Sequence, residues 1–214
     1  MDSKFALSTY AFHLPDDRIA QVASHPPESA KMLKFSREAD DVSNRGDFED
    51  LRFSDMPDLA SDDRLFFFND TRVIPSRVAF ESATFTNKDG FRREKEGEIF
   101  FLRELGTDSR FEALVFPGAA FSVGSKIELG GFALEVESKV PDGRVLKIVS
   151  GGSVHDFLHA LGKLPLPPYV DYSDEKVLDY QTEFGKKEGS LAAPTASLHF
   201  TEALISKLRE NGSS

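Results

Sequence analysis

The chain has 214 residues, of which 40% are apolar, and a formal net charge of −10. This length and composition fit a globular protein with one large domain or two modest ones, which excludes a disordered tail. The absence of cysteine excludes disulfides, thiolate zinc sites and cysteine nucleophiles. The acidic charge argues against a protein that binds nucleic acid without regard to sequence. No stretch has the length and apolar character of a membrane span, so we expect a cytoplasmic protein.

The N-terminal region predicts short elements. Residues 12–22, FHLPDDRIAQV, predict a helix, because the proline suits a first helical turn and the aspartates favour its positive end. Ile19 and Val22 would form a short buried edge of that helix. Residues 31–35 alternate weakly and predict a strand, and the polar run 37–50 predicts a hairpin turn.

Residues 65–72, LFFFNDTR, join an apolar run to a polar turn. The run at 65–68 predicts a strand buried on both faces. Asn69, Thr71 and Arg72 then lie at a strand end, where a rigid support can present polar groups to a ligand. The alternative is an Asx-type turn in which Asn69 and Asp70 satisfy backbone donors, and the pattern alone does not decide between the two.

Several basic residues fall within one third of the chain: Arg72, Arg77, Arg92, Arg93, Lys95 and Arg103. Together they would form a local basic face. Solvated charges on strand edges are the favoured interpretation for most of them.

Residues 80–150 alternate short apolar runs with turn sequences. The runs include EIFFL, FEALVF, KIEL, FALEVE and RVLKIV, and the turns carry Asp-Gly, Pro-Gly or Gly-Gly pairs. Evenly spaced short strands without helical patterns predict an antiparallel barrel or sandwich. Because the flanking segments alternate helix and strand, we expect this β domain to be inserted into a second domain.

The C-terminal region predicts three helices and a stiff segment. Ser153 is a capping residue for a helix over 153–161, and residues 174–180 predict a second helix. The prolines of LPLPPYV, residues 164–170, force an extended backbone that presents Tyr169 or acts as a rigid connector. Thr201 caps the last helix, whose buried stripe is Leu204, Ile205 and Leu208.

The stretch LAAPTASLHFT, residues 191–201, is a candidate site. Thr195, Ser197 and His199 supply groups that position polar ligands, and His199 can move a proton near neutral pH. A buried, hydrogen-bonded histidine in front of a helix is the alternative. No histidine–carboxylate cluster with metal-ligand spacing is recognised, so no metal is expected.

Five motifs occur in order: FHLPDDRIAQ, FFNDTRVIPSR, GKLPLPPYVD, DYQTEFGKKEGSLAAPTASLHFT and ALISKLRENG. Together they resemble the S-adenosylmethionine:tRNA ribosyltransferase-isomerase (QueA) family. The resemblance implies an α+β fold in which a larger mixed α/β barrel-like domain carries an inserted antiparallel β-barrel domain. Residues 1–77 and 151–214 would be the two parts of the larger domain, and 78–150 the barrel. Family members continue with a motif resembling LHVGAGTF, so we expect a truncated chain whose unfinished larger domain exposes apolar surface.

The resemblance also implies an activity. The ribosyl group of S-adenosylmethionine would be transferred and isomerised onto 7-aminomethyl-7-deazaguanine at the wobble position of tRNA, giving epoxyqueuosine. S-adenosylmethionine and tRNA are therefore the expected partners, for a monomer that needs no metal. A non-catalytic tRNA-binding fragment and a divergent paralogue with the same fold remain alternatives.

Site residues follow from the matching motifs. His199 is the candidate for proton transfer, although the substrate amine can serve as the base instead and leave His199 to position the ribose. Ser197 stands where the family usually has glycine. The candidate substrate-binding residues are Asn69, Thr71, Arg72, Arg77, Tyr169, Tyr180, Pro194 and Thr195.

Overall fold

The computed structural model describes residues 6–37, 46–60, 64–106, 109–167 and 169–213. The chain divides into two compact units. The first unit comprises Met1–Phe66, Leu166–Asp179 and His199–Ser214, and the second, called the barrel unit, comprises Phe67–Pro165 and Tyr180–Leu198. The predicted domain limits at residues 77 and 150 stay a prediction.

The elements follow one another along the chain with short connections. In order they are β1 (Lys31–Arg37), β2 (Gly46–Arg52), α1 (Met56–Leu59), β3 (Thr71–Val73), β4 (Arg77–Thr86), β5 (Arg92–Leu105), β6 (Arg110–Phe116), β7 (Lys126–Leu129), β8 (Phe132–Val140), β9 (Gly143–Ser150), α2 (Val154–Leu161), α3 (Asp174–Asp179), β10 (Lys187–Ser190) and α4 (Glu202–Glu210).

The barrel unit is built on a closed antiparallel barrel with the strand order β4-β5-β6-β9-β8-β7, closed by pairing of β7 with β4. Alternate residues of its strands point into one core, as Phe111 and Ala113 do on β6, where both are fully buried. Closure leaves no unpaired edge. The predicted α+β fold class with an antiparallel β-barrel is confirmed.

Helix α2 packs against the barrel core through its apolar face. The ring centroid of Phe157 lies 5.3 Å from that of Phe132 and 6.1 Å from that of Phe111. The helix begins with a capping box, in which Ser153 Oγ accepts a hydrogen bond from the Asp156 amide at 3.1 Å and the Asp156 carboxylate accepts one from the Ser153 amide at 2.9 Å. It ends at Gly162, where a Cβ would collide with a backbone carbonyl. The predicted cap and stop of this helix are confirmed.

The first unit contains smaller elements. Strands β1 and β2 form an antiparallel hairpin, and α4 is capped by Thr201 Oγ1, which accepts a hydrogen bond from the Leu204 amide at 3.2 Å. Leu204 and Leu208 are buried, as predicted, whereas Ile205 is only half-buried. Exposed apolar side chains of this unit include Leu7, Phe12, Val22, Leu33, Phe48 and Leu65, and that they belong to an unfinished larger domain stays a prediction.

Two element predictions are wrong. Residues 65–68 form no strand, and Leu65 and Phe67 are exposed, because no described segment pairs with this backbone. Residues 12–22 contain a single 3-10 turn at Asp16–Arg18, and Val22 is exposed, since a short helix without a packed face is marginal in water. None of the helices in the described ranges has the length and apolar character required to span a bilayer.

Candidate functional site

Two distant motifs meet in the barrel unit through a short parallel pair of strands. Strand β3 pairs with β10, so that Thr71 lies opposite Lys187 and Arg72 opposite Glu188. A bulge follows Glu188, and Gly189 there has a φ of 135°, a conformation that favours glycine. The pairing therefore places the Asn-Asp-Thr-Arg turn beside the strand that leads into Pro194 and Thr195.

Backbone and side-chain contacts hold the two strands in register. The Asp70 carbonyl accepts hydrogen bonds from the amides of Lys186 at 2.8 Å and Lys187 at 3.1 Å. The Lys187 ammonium also lies 2.9 Å from the Asp70 carboxylate, and this hydrogen bond lowers the pKa of Asp70. On the other side of β3, the Gln181 amide accepts from the Val73 amide at 3.1 Å and donates to the Val73 carbonyl at 2.9 Å.

Asn69 and Thr71 adopt the alternative that the sequence left open. Asn69 Oδ1 accepts a hydrogen bond from the Thr71 amide at 2.9 Å, which is an Asx turn. The Thr71 hydroxyl oxygen is buried and makes no hydrogen bond within the described residues. Asn69 itself is exposed, so a ligand can reach its amide nitrogen.

The two candidate arginines differ in their surroundings. Arg77 forms a bidentate pair with Glu98, with Nε–Oε1 and Nη2–Oε2 separations of 3.0 and 2.9 Å, so its fork already holds a carboxylate. Arg72 is exposed, and within the described residues its guanidinium has neither a hydrogen bond nor an ion pair. Of the two, Arg72 is the one whose geometry suits an incoming anion.

Other barrel arginines follow the behaviour of Arg77. Arg92 pairs with Glu128 at 2.9 Å, and Arg103 pairs with Glu112 at 2.8 Å. For these residues, the interpretation as solvated strand charges agrees with the structure.

Pro194 and Thr195 lie in a tight turn. Pro194 precedes a 3-10 turn at Thr195–Ser197, and its carbonyl accepts hydrogen bonds from both the amide and the hydroxyl of Ser197 at 2.9 Å. Among the described non-glycine residues, only Ser109 has a positive φ, so the backbone at Ser197 does not require glycine. Serine is therefore accommodated here with its hydroxyl satisfied, and Thr195 is exposed beside it.

His199 lies in the first unit and is packed and hydrogen-bonded. Its Nδ1 is 3.2 Å from the carbonyl oxygen of Pro27, and its ring centroid is 5.3 Å from that of Phe53. A carbonyl only accepts, so Nδ1 carries the proton and Nε2 of the neutral ring keeps its lone pair. The hydrogen bond agrees with the alternative of a buried, hydrogen-bonded histidine, but the side chain is only half-buried, and the contact leaves Nε2 as a proton acceptor.

The two candidate tyrosines fall in different units. Tyr169 belongs to the first unit and is exposed, and its carbonyl accepts a hydrogen bond from Gln21 Nε2 at 2.7 Å. Tyr180 belongs to the barrel unit and is half-buried. Pro168, in the predicted proline-rich segment, lies outside the described residues. From the same motifs we also predict that His199 and Arg72 line one hollow beside the proline-rich segment, and this stays a prediction.

A cluster with metal-ligand chemistry was missed. His155 and His159 of α2 and Glu188 of β10 bring their ligand atoms within 4.8 Å of one another. The prediction that no histidine–carboxylate cluster exists is therefore wrong. The four-residue spacing of the histidines was a visible signal, whereas the contribution of Glu188 depends on the β3–β10 pairing.

Comparisons with known proteins agree with these motifs. The family described as queuosine biosynthesis protein matches residues 7–214. An S-adenosylmethionine:tRNA ribosyltransferase-isomerase from Thermosynechococcus vestitus is 33% identical over 97% of this chain and 55% of its own length. One of the same name from Clostridioides difficile is 34% identical over 95% of this chain and 56% of its own length. The chain thus spans about half the length of these curated relatives.

A solved structure adds no independent argument. The S-adenosylmethionine tRNA ribosyltransferase of Thermotoga maritima aligns with 95% of this chain and 54% of its own, at 21% identity and a TM-score of 0.33. That score is too low to carry an inference about this molecule. The family match rests on the sequence and covers nearly the whole chain. The chain therefore belongs to the queuosine biosynthesis protein family.

Proposed function

We propose that this chain takes part in transferring and isomerising the ribosyl group of S-adenosylmethionine onto 7-aminomethyl-7-deazaguanine in tRNA, giving epoxyqueuosine. The curated relatives are named for a ribosyltransferase-isomerase reaction, and this chain spans about half of their length. The observation that carries the proposal is the β3–β10 pairing, which brings two family-like motifs together inside one compact unit.

Arg72 is the proposed anion-binding group. Its guanidinium is exposed and has no ionic partner within the described ranges, whereas Arg77 is held by Glu98. A guanidinium matches both a tRNA phosphate and the methionine carboxylate of the donor. Asn69 and Thr195 lie in the same unit and supply exposed polar groups for the ribose or the base.

His199 is the proposed proton acceptor. A sulfonium group makes the adjacent ribose carbon acidic, so a base must take that proton before the aminomethyl nitrogen attacks the sugar. The hydrogen bond from Nδ1 to Pro27 fixes the tautomer in which Nε2 is free to accept. Adenine and methionine leave during the reaction. If the substrate amine is the base, His199 orients the ribose instead.

Mass analysis of tRNA nucleosides tests the proposal. The chain is incubated with S-adenosylmethionine and a tRNA that carries 7-aminomethyl-7-deazaguanine, and epoxyqueuosine, free adenine and methionine are quantified. We expect the nucleoside to form with equimolar release of adenine. If the chain binds the tRNA but no modified nucleoside forms, the result would favour the non-catalytic tRNA-binding alternative. A modified nucleoside of another mass would favour a divergent paralogue.

Matched variants test the two roles. Arg72→Ala is expected to raise KM roughly ten- to hundredfold, as for a lost hydrogen bond to a charged group, with Arg92→Ala as the ion-paired control. His199→Ala is expected to lower kcat roughly 10²- to 10⁴-fold, with exposed His13→Ala as the control. Normal turnover by His199→Ala would remove this residue from the chemistry.

The proposal also includes a cytoplasmic monomer. Gel filtration tests the oligomeric state, and cell fractionation tests the location.

A further inference from the structure

The exposed face of α2 carries two histidines one helical turn apart. Val154 and Phe157 are buried on the opposite face, so His155 and His159 point away from the barrel core. Their rings stack, with centroids 4.1 Å apart and planes at 27°. This stacking brings the two Nε2 atoms to the same side of the helix.

Glu188 completes the group from a different element. Its Oε2 lies 3.2 Å from Nε2 of His155 and 3.2 Å from Nε2 of His159. Partial desolvation raises the pKa of Glu188, but the hydrogen bond from His155 and the interactions with His159 outweigh it and lower the pKa overall. Two imidazole nitrogens and one carboxylate oxygen therefore lie within 4.8 Å of one another.

We propose that His155, His159 and Glu188 form a binding site for a divalent transition-metal ion, with zinc as the representative ion. Tetrahedral zinc with bonds of about 2.0–2.1 Å separates its ligand atoms by about 3.3 Å. The two nitrogen–oxygen separations of 3.2 Å match that value. Calcium and magnesium prefer all-oxygen sites, so the imidazoles select zinc, cobalt, nickel or copper. Three protein ligands leave a fourth position for water.

A bound ion would join two parts of the barrel unit. Helix α2 packs on the barrel core through Phe157, and β10 leads into the turn at Pro194. A metal bridge between Glu188 and the helix would fix the bulge that follows Glu188. The inference does not rest on the proposed function, because binding is measured without substrate.

An exposed ion pair is the competing explanation. The side chains of His155, His159 and Glu188 are 67%, 40% and 37% exposed, so the contacts exist without any ion if Glu188 simply accepts from the imidazoles. Arg72 lies opposite Glu188 in the β3–β10 pairing but forms no ion pair with it within the described residues. A metal site and an ion pair share these contacts and differ in whether the three side chains bind an added ion.

Calorimetric titration of the untagged chain with zinc alone decides the matter. We expect one ion per chain, and a rise in Tm with added zinc because the ion binds the folded state. His159→Ala and Glu188→Gln should each weaken binding about tenfold or more. His25→Ala is the control, because His25 lies 3.4 Å from the carboxylate of Asp179 without a second imidazole.

The outcomes are distinct. Stoichiometric binding lost in both variants but kept in the control supports the site. No binding, or binding that the two variants leave unchanged, overturns it and leaves an ion pair only. Because these side chains are exposed, the variants should fold, and the circular dichroism melt of each in zinc-free buffer checks this. Cobalt gives an independent readout, since its visible absorption reports tetrahedral coordination and should disappear in the Glu188→Gln chain.

Discussion

The barrel unit and the first unit bury their apolar residues to very different degrees. The barrel encloses a continuous core in which Phe85, Phe111, Phe121, Phe157, Ile99, Ile127, Leu134 and Leu146 are almost fully buried. Within the described part of the first unit, the buried apolar side chains are Ala30, Pro57, Phe200, Leu204 and Leu208. Many of its other apolar residues are exposed, including Leu7 at 91% and Phe12 at 79%.

This difference in burial follows from the closing of the sheet into a barrel. A closed sheet satisfies its own backbone and encloses its own side chains, so the barrel depends on contacts within residues 77–150 and on α2. The hairpin and short helices of the first unit cannot enclose a core of that size. Of the candidate site residues, Arg72 lies in the barrel unit and His199 in the first unit.

The largest expected effect comes from emptying the core of the barrel unit. Phe157→Ala removes a fully buried ring packed against Phe111 and Phe132 and should lower the free energy of unfolding by about 3–5 kcal/mol. Urea denaturation followed by circular dichroism measures it. Phe116→Ala, at a ring that is 70% exposed, is the control and should change little. Equal losses from both would contradict the proposed core.

The next effect tests whether the first unit unfolds separately. Leu204→Ala should cost about 2–3 kcal/mol locally, because Leu204 is buried on α4 but its surroundings can collapse. Hydrogen exchange should show lost protection in α4 while the barrel amides keep theirs. If barrel amides lose protection to the same extent, the two units do not unfold independently.

Removing the cap of α2 or of α4 should destabilise the protein less than emptying a core, and it tests each unit separately. Ser153→Ala and Thr201→Ala each remove a hydroxyl that accepts from a helix amide, at an expected cost of about 1 kcal/mol. The destabilisation caused by Ser153→Ala should appear in global denaturation, because α2 packs on the barrel core. The Thr201 loss should appear as faster hydrogen exchange within α4. The reverse pattern would refute this assignment.

The smallest effect is a pH dependence of the barrel unit. Hydrogen bonds from Ser82 and then Thr84 lower the pKa of Glu94. Because the folded pKa lies below the unfolded value of about 4.3, this stabilisation is present above that pH and is lost as the pH falls through the folded pKa. The Tm difference between the parent chain and Glu94→Gln should therefore shrink from pH 7 to pH 3. A constant difference would exclude Glu94 as the source.

Local signals in the sequence predicted the parts of the fold that depend on local chemistry. Alternating apolar runs and glycine turns indicated the barrel, and Ser153 and Thr201 indicated the starts of α2 and α4. The apolar run at 65–68 led to the wrong prediction of a buried strand, because such a strand also needs a pairing partner and the run does not encode where that partner lies. Composition cannot reveal such partners.

The candidate site was predictable to a similar extent. The motifs pointed to Arg72 and His199 as candidates. Only the folded structure shows that Glu98 pairs with the guanidinium group of Arg77. It also shows that the Pro27 carbonyl fixes the tautomer of His199. Glu188 meets the histidines of α2 from about thirty residues away, through strand pairing. Long-range partners of this kind leave no trace in residue spacing.

The amide of Gln181 has a consequence for how the two motifs stay together. A primary amide offers the same donor and acceptor as a peptide group, so Gln181 acts as a one-residue substitute for a third strand beside Val73. Neither partner is charged, so this link keeps its strength across ionic strengths and pH values that weaken the neighbouring lysine–aspartate pair. An ionised glutamate at this position would set a carboxylate against the Val73 carbonyl and would lose the bond that the Gln181 amide donates.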